Sequence, residues 1–327
     1  MQSFQTLQKR IISQLEKETE KLNSCEPVNL YEPICYALQI GGKRLRPVIM
    51  LMACEMFGGL IDDAIPAAIG IEVFHNFTLL HDDIMDNAPL RRNKPTVHEK
   101  YNTNVAILSG DGMFNLGYQY FLRTKSPAIN EILFLFSQTA NQVMEGQQYD
   151  MDFENVQQIT VDSYLEMIKL KTAVLFACSL KIGAIIGKAS ISDANHLYNF
   201  GINLGLAFQL QDDLLDVYGE QDKFGKQTGG DIVANKKTFL LIKALEKANT
   251  RQKEELLNWL TAESFDNEEK IKAVKTIYDE LDIRKTTNEV IEYFHKKAME
   301  ELNLIELPPN QKEELIFLVN KIMKREN

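Results

Sequence analysis

Apolar residues in this chain recur at helical spacing far more often than they alternate. Ile71, Phe74, Phe77 (or Thr78) and His81 mark one stripe at intervals of three and four, and Leu256, Leu257 and Leu260 another. Breaker placement agrees. No proline lies between Ala128 and Leu307 and no glycine follows Gly230, whereas strands would need frequent turns. Ser163-Tyr-Leu-Glu166 has capping-box spacing and predicts a helix running from there through Lys171 and Thr172. The amino-terminal MQSFQTLQKRIISQLEKETEK reads as an amphipathic helix, without the apolar stretch of a signal peptide. The charged stretch 250–300 reads as the solvated face of further amphipathic helices. No linker, low-complexity segment or repeat divides the sequence, so the expectation is one all-α domain over residues 1–327.

Composition narrows the classes of partner. With 327 residues, 45% of them apolar and 25% charged, the chain is long enough for a large core. Its 36 basic against 46 acidic residues give a net charge of -10, which argues against a nucleic-acid or anionic-membrane ligand. No uncharged apolar run is long enough to span a bilayer; the best, Ala173 to Gly187, is broken by Lys181. Cys25, Cys35, Cys54 and Cys178 have neither CxxC spacing nor a histidine at metal-ligand distance in sequence. They read as reduced thiols of a cytoplasmic protein.

The chemistry lies in two acidic motifs. Asp82, Asp83 and Asp86 form one DDxxD, and Asp212, Asp213 and Asp216 a second, each after a mostly apolar helical run. On a helix the outer aspartates are i and i+4 and share a face; the middle one lies about 100° away, reaching sideways or into solvent. Like charges at that spacing destabilise a helix, so a sequence that repeats them calls for a compensating charge. A hard divalent cation such as Mg2+ fits, because it takes one or two carboxylates and completes its shell with water and phosphate.

Positive charge gathers beside both motifs. Gly41-Gly42-Lys43-Arg44-Leu45-Arg46-Pro47 sets Lys43 and Arg46 three apart, on one face if helical. After the first motif, Arg91 and Arg92 stand between Pro89 and Pro95, which predicts a stiff loop. Lys171 with Thr172, and Lys226, Lys236 and Lys237 near the second motif, complete a set suited to diphosphate oxygens. His75 stands seven residues before Asp82, two turns along the same face, and Gln209 three before Asp212.

In this order, GGKRLRP, HNFTLLHDDIMDNAPLRRNKPTVH, SGDGMF, KLKTA, FQLQDDLLDVYGE and FGKQTGGDIVANKKT resemble the trans-prenyl diphosphate synthases across residues 41–240. Two departures are Asn93, where many members carry Gly, and Phe239-Leu240, where some carry Pro. The resemblance implies a single large helical bundle around a deep central cavity, a homodimer, and three Mg2+ ions. It assigns Asp82, Asp83, Asp86, Asp212, Asp213 and Asp216 to the metals. Arg91, Lys171, Thr172, Gln209, Lys226 and Lys236 would face an allylic diphosphate, and Lys43, Arg46, His75 and Arg92 would hold isopentenyl diphosphate. The family joins these two substrates by ionising the first. Phe77 and Thr78, five and four residues before Asp82, are the positions that limit chain length in similar enzymes. Phe77 with Thr78 points to geranylgeranyl diphosphate, with farnesyl or longer products as alternatives; Met113, Phe114 and Tyr118 are candidates for deeper lining. A class I terpene cyclase shares DDxxD but has no use for a second diphosphate site, and a non-catalytic synthase subunit would be expected to have lost carboxylates.

Overall fold

The computed structural model describes residues 2–154, 156, 158–219 and 228–323. In chain order its helices are α1 (Phe4–Leu22), α2 (Val28–Gln39), α3 (Leu45–Met56), α4 (Ile61–Met85), α5 (Val97–Lys100), α6 (Thr103–Leu122) and α7 (Ile129–Glu154). Then follow α8 (Val161–Ile168), α9 (Val174–Ile186), α10 (Ile191–Tyr218), α11 (Gly230–Val233), α12 (Phe239–Lys247), α13 (Thr250–Thr261), α14 (Asn267–Glu280), α15 (Ile283–Leu304) and α16 (Glu313–Met323). The sheet among the described residues is a two-residue hairpin, β1 (Leu90–Arg91) with β2 (Lys94–Pro95). The class is all-α, as the breaker-poor sequence predicts. No helix of the described residues is long and apolar enough to cross a membrane.

The chain divides into two compact units. The first comprises residues 1–137, 178–198 and 305–318; the second comprises 138–177, 199–304 and 319–327. In the first unit α4 is apolar nearly all round, and it is correspondingly buried, packing chiefly on α6 and α3. Its crossing with α6 runs through Gly70 and Gly117, where a Cβ on Gly70 would stand 2.9 Å from the Gly117 carbonyl oxygen. That close approach fixes the height and rotation of the helix that ends in the first acidic motif.

In the second unit α8, α10, α12, α14 and α15 share a core that includes Tyr164, Leu210, Leu214, Phe239 and Tyr278. The charged stretch 250–300 forms α13, α14 and α15 with mostly exposed charges, as expected, but Lys270 departs from the pattern. It is 1% exposed, and its ammonium donates to Asn235 Oδ1 at 2.6 Å.

The helix carrying Lys171 and Thr172 begins earlier than the capping-box spacing predicts. Thr160 is the cap, its hydroxyl accepting the Ser163 N–H at 3.1 Å, so Ser163 lies inside the first turn. The helical path does continue through Lys171 and Thr172, by way of a π-helical turn over Lys169–Ala173.

Candidate active site

The first acidic motif sits at the carboxyl end of α4, with Asp86 as its C-cap. Asp82 is half-buried and Asp86 exposed, but the middle aspartate does not reach toward solvent as the helical wheel suggests. Asp83 is 4% exposed, and Arg91 forks onto it: Nε donates to both carboxylate oxygens at 2.8 and 2.9 Å and Nη2 to Oδ1 at 2.7 Å. Burial works against charge on Arg91, and the Asp83 bonds with the Asp82 and Asp86 carboxylates more than offset it.

The loop between the prolines is the β1–β2 hairpin. Arg92 and Asn93, its two turn residues, have φ of 52° and 61°, the positive pair that marks a type I′ turn. Asn tolerates that conformation better than other side chains, which explains how Asn93 stands where many relatives of this sequence pattern have Gly. The turn sends its arginines apart. Arg91 goes to Asp83, while Arg92 donates to the Gly41 carbonyl and fills the space a Cβ on Gly42 would need.

Lys43 is exposed in the loop before α3 and not on the helix with Arg46. Positive φ at Gly41, Gly42 and Arg44 keeps the chain out of a helix until Leu45. Arg46, in the first turn of α3, donates from Nη1 to His75 Nε2 at 2.9 Å. A guanidinium cannot accept, so Nε2 carries no proton in that bond and Nδ1 does. Burial, then the charges of Arg46, Arg92, Arg91 and Arg44, hold His75 well below the usual imidazole range. Lys43 apart, the structure therefore gathers the predicted group around one electropositive locus; an anion is the ligand such a locus favours.

Phe77 is 7% exposed, in an aromatic stack with Phe74, Phe114 and His81 at centroid distances of 5.6, 5.4 and 4.7 Å. Phe114 continues it to Tyr118 at 5.3 Å, and Tyr118 to Phe136 at 4.9 Å. Thr78 is half-buried with its hydroxyl on the His75 carbonyl, and Met113 is fully buried.

The second motif, on α10, repeats the layout of the first. Asp212 and Asp216 are half-buried, and again the middle aspartate, Asp213, is the buried one at 5% exposure. It accepts from the Tyr164 hydroxyl and from Gln209 Nε2 at 3.0 Å. Burial, and next the Asp231 carboxylate, push the Asp213 carboxyl up to about 8. Gln209 Oε1 in turn accepts from Thr172 Oγ1 at 3.0 Å, so Tyr164, Asp213, Gln209 and Thr172 form one chain of bonds. Lys171 reaches Asp150 at 2.6 Å.

The π-helical turn that carries Lys171 and Thr172 is clamped by two glycines. A Cβ on Gly146 of α7 would fall 2.2 Å from the Lys171 backbone nitrogen, and one on Gly205 of α10 would fall 2.5 Å from Ala173 Cα. A π turn inside a helix is rare and concentrates at functional sites. Beyond α10, Asp216 Oδ2 accepts the Asp231 N–H at 3.0 Å, which ties the motif to the segment bearing Lys236. Lys236 is exposed, 4.0 Å from Asp231, and Lys237 turns to the Val156 carbonyl. Lys226 lies outside the described residues.

Comparison with known proteins decides the family. The polyprenyl synthetase model matches residues 27–279. A geranylgeranyl diphosphate synthase of Sulfolobus acidocaldarius is 36% identical over 310 residues, 93% of this chain and 93% of that protein. The chain belongs to the polyprenyl synthetase family. Another relative, a geranylfarnesyl diphosphate synthase of Natronomonas pharaonis, is 39% identical over 71% of this chain and 73% of its own length. A crystal structure of a geranylgeranyl pyrophosphate synthase superposes with a TM-score of 0.94 at 42% identity, covering 100% of both chains. This polyprenyl synthetase is accordingly a prenyltransferase with the all-α fold of that family.

Sequence reasoning missed Asp150, Tyr164, Arg44, Glu72 and Gly146. The two glycines of the clamp, Gly146 and Gly205, carry no local signal, because their reason is a neighbouring backbone. Tyr164, by contrast, stands seven residues before Lys171 in a helical run, and that spacing was there to be read.

Proposed function

We propose that this polyprenyl synthetase condenses isopentenyl diphosphate with an allylic diphosphate and releases geranylgeranyl diphosphate. The carrying observation is the repeated layout of the acidic motifs. In each, the outer aspartates stay accessible while the middle one is buried and bonded to a residue suited to diphosphate, Arg91 directly and Thr172 through Gln209. In this reading residues 1–327 act as one catalytic domain.

The donor set suits magnesium. Among the described residues no three acid, histidine or cysteine side chains form a ready-made cage. Mg2+ needs none, since one or two carboxylates suffice when water and phosphate complete the octahedron. Asp82 with Asp86, and Asp212 with Asp216, are the pairs that would hold it; Asp83 and Asp213 support them through their buried bonds. Three ions are expected. Bound there, magnesium supplies neutralising charge for the departing diphosphate.

The chain's own cations do the rest. Arg91, Lys171, Lys226 and Lys236 bind the allylic diphosphate, with Thr172 and Gln209 orienting it. As the carbon–oxygen bond breaks, its electron pair leaves with the diphosphate, where fixed positive charge stabilises it. Lys43, Arg46, His75 and Arg92 hold isopentenyl diphosphate so that its double bond meets the allylic cation. A proton then leaves to the released diphosphate, and a new allylic chain results. Phe77, backed by Phe74 and Phe114, stops the growing tail near 20 carbons.

Two further features complete the proposal. Ile107, Leu108, Leu122 and Phe134 are 43%, 60%, 63% and 65% exposed on α6 and α7, large apolar side chains that a second copy would cover in a homodimer. All four cysteines are free, as suits the cytoplasm; burial raises Cys35 to about 11 and Cys54 to about 12, which keeps them unreactive.

Purified protein with Mg2+, isopentenyl diphosphate and a C5, C10 or C15 allylic primer tests the reading. The expected outcome is a C20 product from each primer, abolished by chelation. Turnover only without isopentenyl diphosphate would indicate a cyclase, and none at all a non-catalytic subunit.

A further inference from the structure

GGKRLRP places three cations within four residues, and the structure sends one of them inward. Arg44 is 7% exposed, against an exposed Lys43 and a half-buried Arg46. Its Nη1 donates to Glu72 Oε1 and its Nη2 to the Leu38 carbonyl. Glu72 is 3% exposed, and the same Oε1 accepts Asn76 Nδ2 at 3.0 Å. Asn76 in turn donates to the Glu72 carbonyl at 2.8 Å. The ion pair is thus sealed from water.

Capping does not explain an arginine here. Arg44 is the N-cap of α3, makes no side-chain cap bond, and has φ 51° and ψ 39°, the left-handed region that side-chain-bearing residues seldom occupy. Such a conformation persists only where the surroundings over-determine it. Nor is stability a sufficient reason, because a buried ion pair rarely outperforms a well-packed apolar pair. Its best-attested use is to fix register, and what stands on either side of this pair is informative. Arg44 directly follows Lys43 and precedes Arg46 by two residues; Glu72 precedes His75 by three, one helical turn. Gly41, three residues before Arg44, offers the carbonyl that Arg92 grips.

We propose that Arg44 and Glu72 are positioning residues for the isopentenyl diphosphate pocket. Their ion pair locks the start of α3 to α4 so that Arg46, His75 and Arg92 converge on one diphosphate, with Lys43 on the loop beside them. This rests on the reading of those four residues given above. Neither Arg44 nor Glu72 touches substrate.

The test is steady-state kinetics with each substrate varied, on Arg44→Lys, Glu72→Gln and the double variant Arg44→Gln/Glu72→Gln. The double variant removes both charges together, so no buried ion is left without its partner, and Glu72→Gln is a milder change that keeps the shape. The expected result is a KM for isopentenyl diphosphate raised about tenfold or more, with the allylic KM and kcat within about twofold, in protein that melts cooperatively. Equal changes in both KM values, or a lowered melting temperature with the isopentenyl KM unchanged, would overturn the positioning role. Lys43→Ala and Arg46→Ala are run alongside. If they raise the isopentenyl KM and the ion-pair variants do not, only the positioning role falls; if they leave it unchanged, the pocket reading falls with it.

Discussion

Arg91 and Asp83, eight residues apart in sequence, are joined through both carboxylate oxygens, with Arg91 Nε at 2.8 and 2.9 Å and Nη2 at 2.7 Å. The hairpin that carries Arg91 is therefore anchored to the helix that carries the first acidic motif. The fork needs a planar guanidinium. A lysine keeps the charge but cannot make the two-point contact, so Arg91→Lys is expected to lower kcat/KM for the allylic substrate by about 10- to 100-fold. Steady-state kinetics check this, and a wild-type value in Arg91→Lys would show that charge alone suffices.

Gly146 fixes the π turn from outside. In Gly146→Ala the new methyl meets the Lys171 backbone nitrogen, which cannot swing away as a flexible side chain would. Overpacking of this kind costs about 1–3 kcal/mol, and here the strain falls on the turn that aims Lys171 and Thr172. Denaturant titration is expected to show that loss, and the assay a deeper fall in kcat than Lys171→Ala alone produces. An unperturbed Gly146→Ala enzyme would mean that α7 can shift without disturbing the site.

The helical class and the placement of the two acidic motifs on helices, with Arg91 beside the first, were legible in the sequence, because periodicity, breakers and spacing are local properties. The burial of Asp83 and Asp213 was not. A helical wheel gives the angle between Asp82 and Asp83, but not which side of the helix the core lies on. Here Tyr164 and Arg91, neither of them on the helix that carries its aspartate, supply the partners that make burial of the middle carboxylate tolerable. Arg44 was hidden for a related reason. Among three cations in GGKRLRP, only the position of Glu72 decides which one turns inward. The cap at Thr160 was missed because Ser163 and Glu166 offer an equally good box three residues later, and the hydroxyl of Thr160 wins by taking the Ser163 N–H.

In the proposed reading Phe77 is the floor of the product cavity. Phe77→Ala is expected to lengthen the product beyond C20, while costing about 3 kcal/mol of stability for the cavity it leaves. Chromatography of dephosphorylated products reads the length directly. If the product stayed at C20, the limit would lie elsewhere, with Phe114 and Tyr118 next in the stack.

Phe134 tests the homodimer. It is 65% exposed on α7, so replacing it should change the protomer's own stability by only about 0.5 kcal/mol. A charge buried at a two-fold interface occurs twice, and Phe134→Asp is expected to shift sedimentation from dimer to monomer. A wild-type protein that sediments as a monomer, or a Phe134→Asp dimer of unchanged affinity, would remove this face from the proposal.

The central claim is that the aspartates of α4 and those of α10 hold magnesium for diphosphate chemistry. Crystals grown with Mg2+ and a non-ionisable allylic diphosphate analogue test it most directly. The expected density shows ions at about 2.1 Å from carboxylate oxygens of Asp82 and Asp86 and of Asp212, each ion also bound to diphosphate oxygen. An acidic motif that binds no ion when the analogue is in place would contradict it.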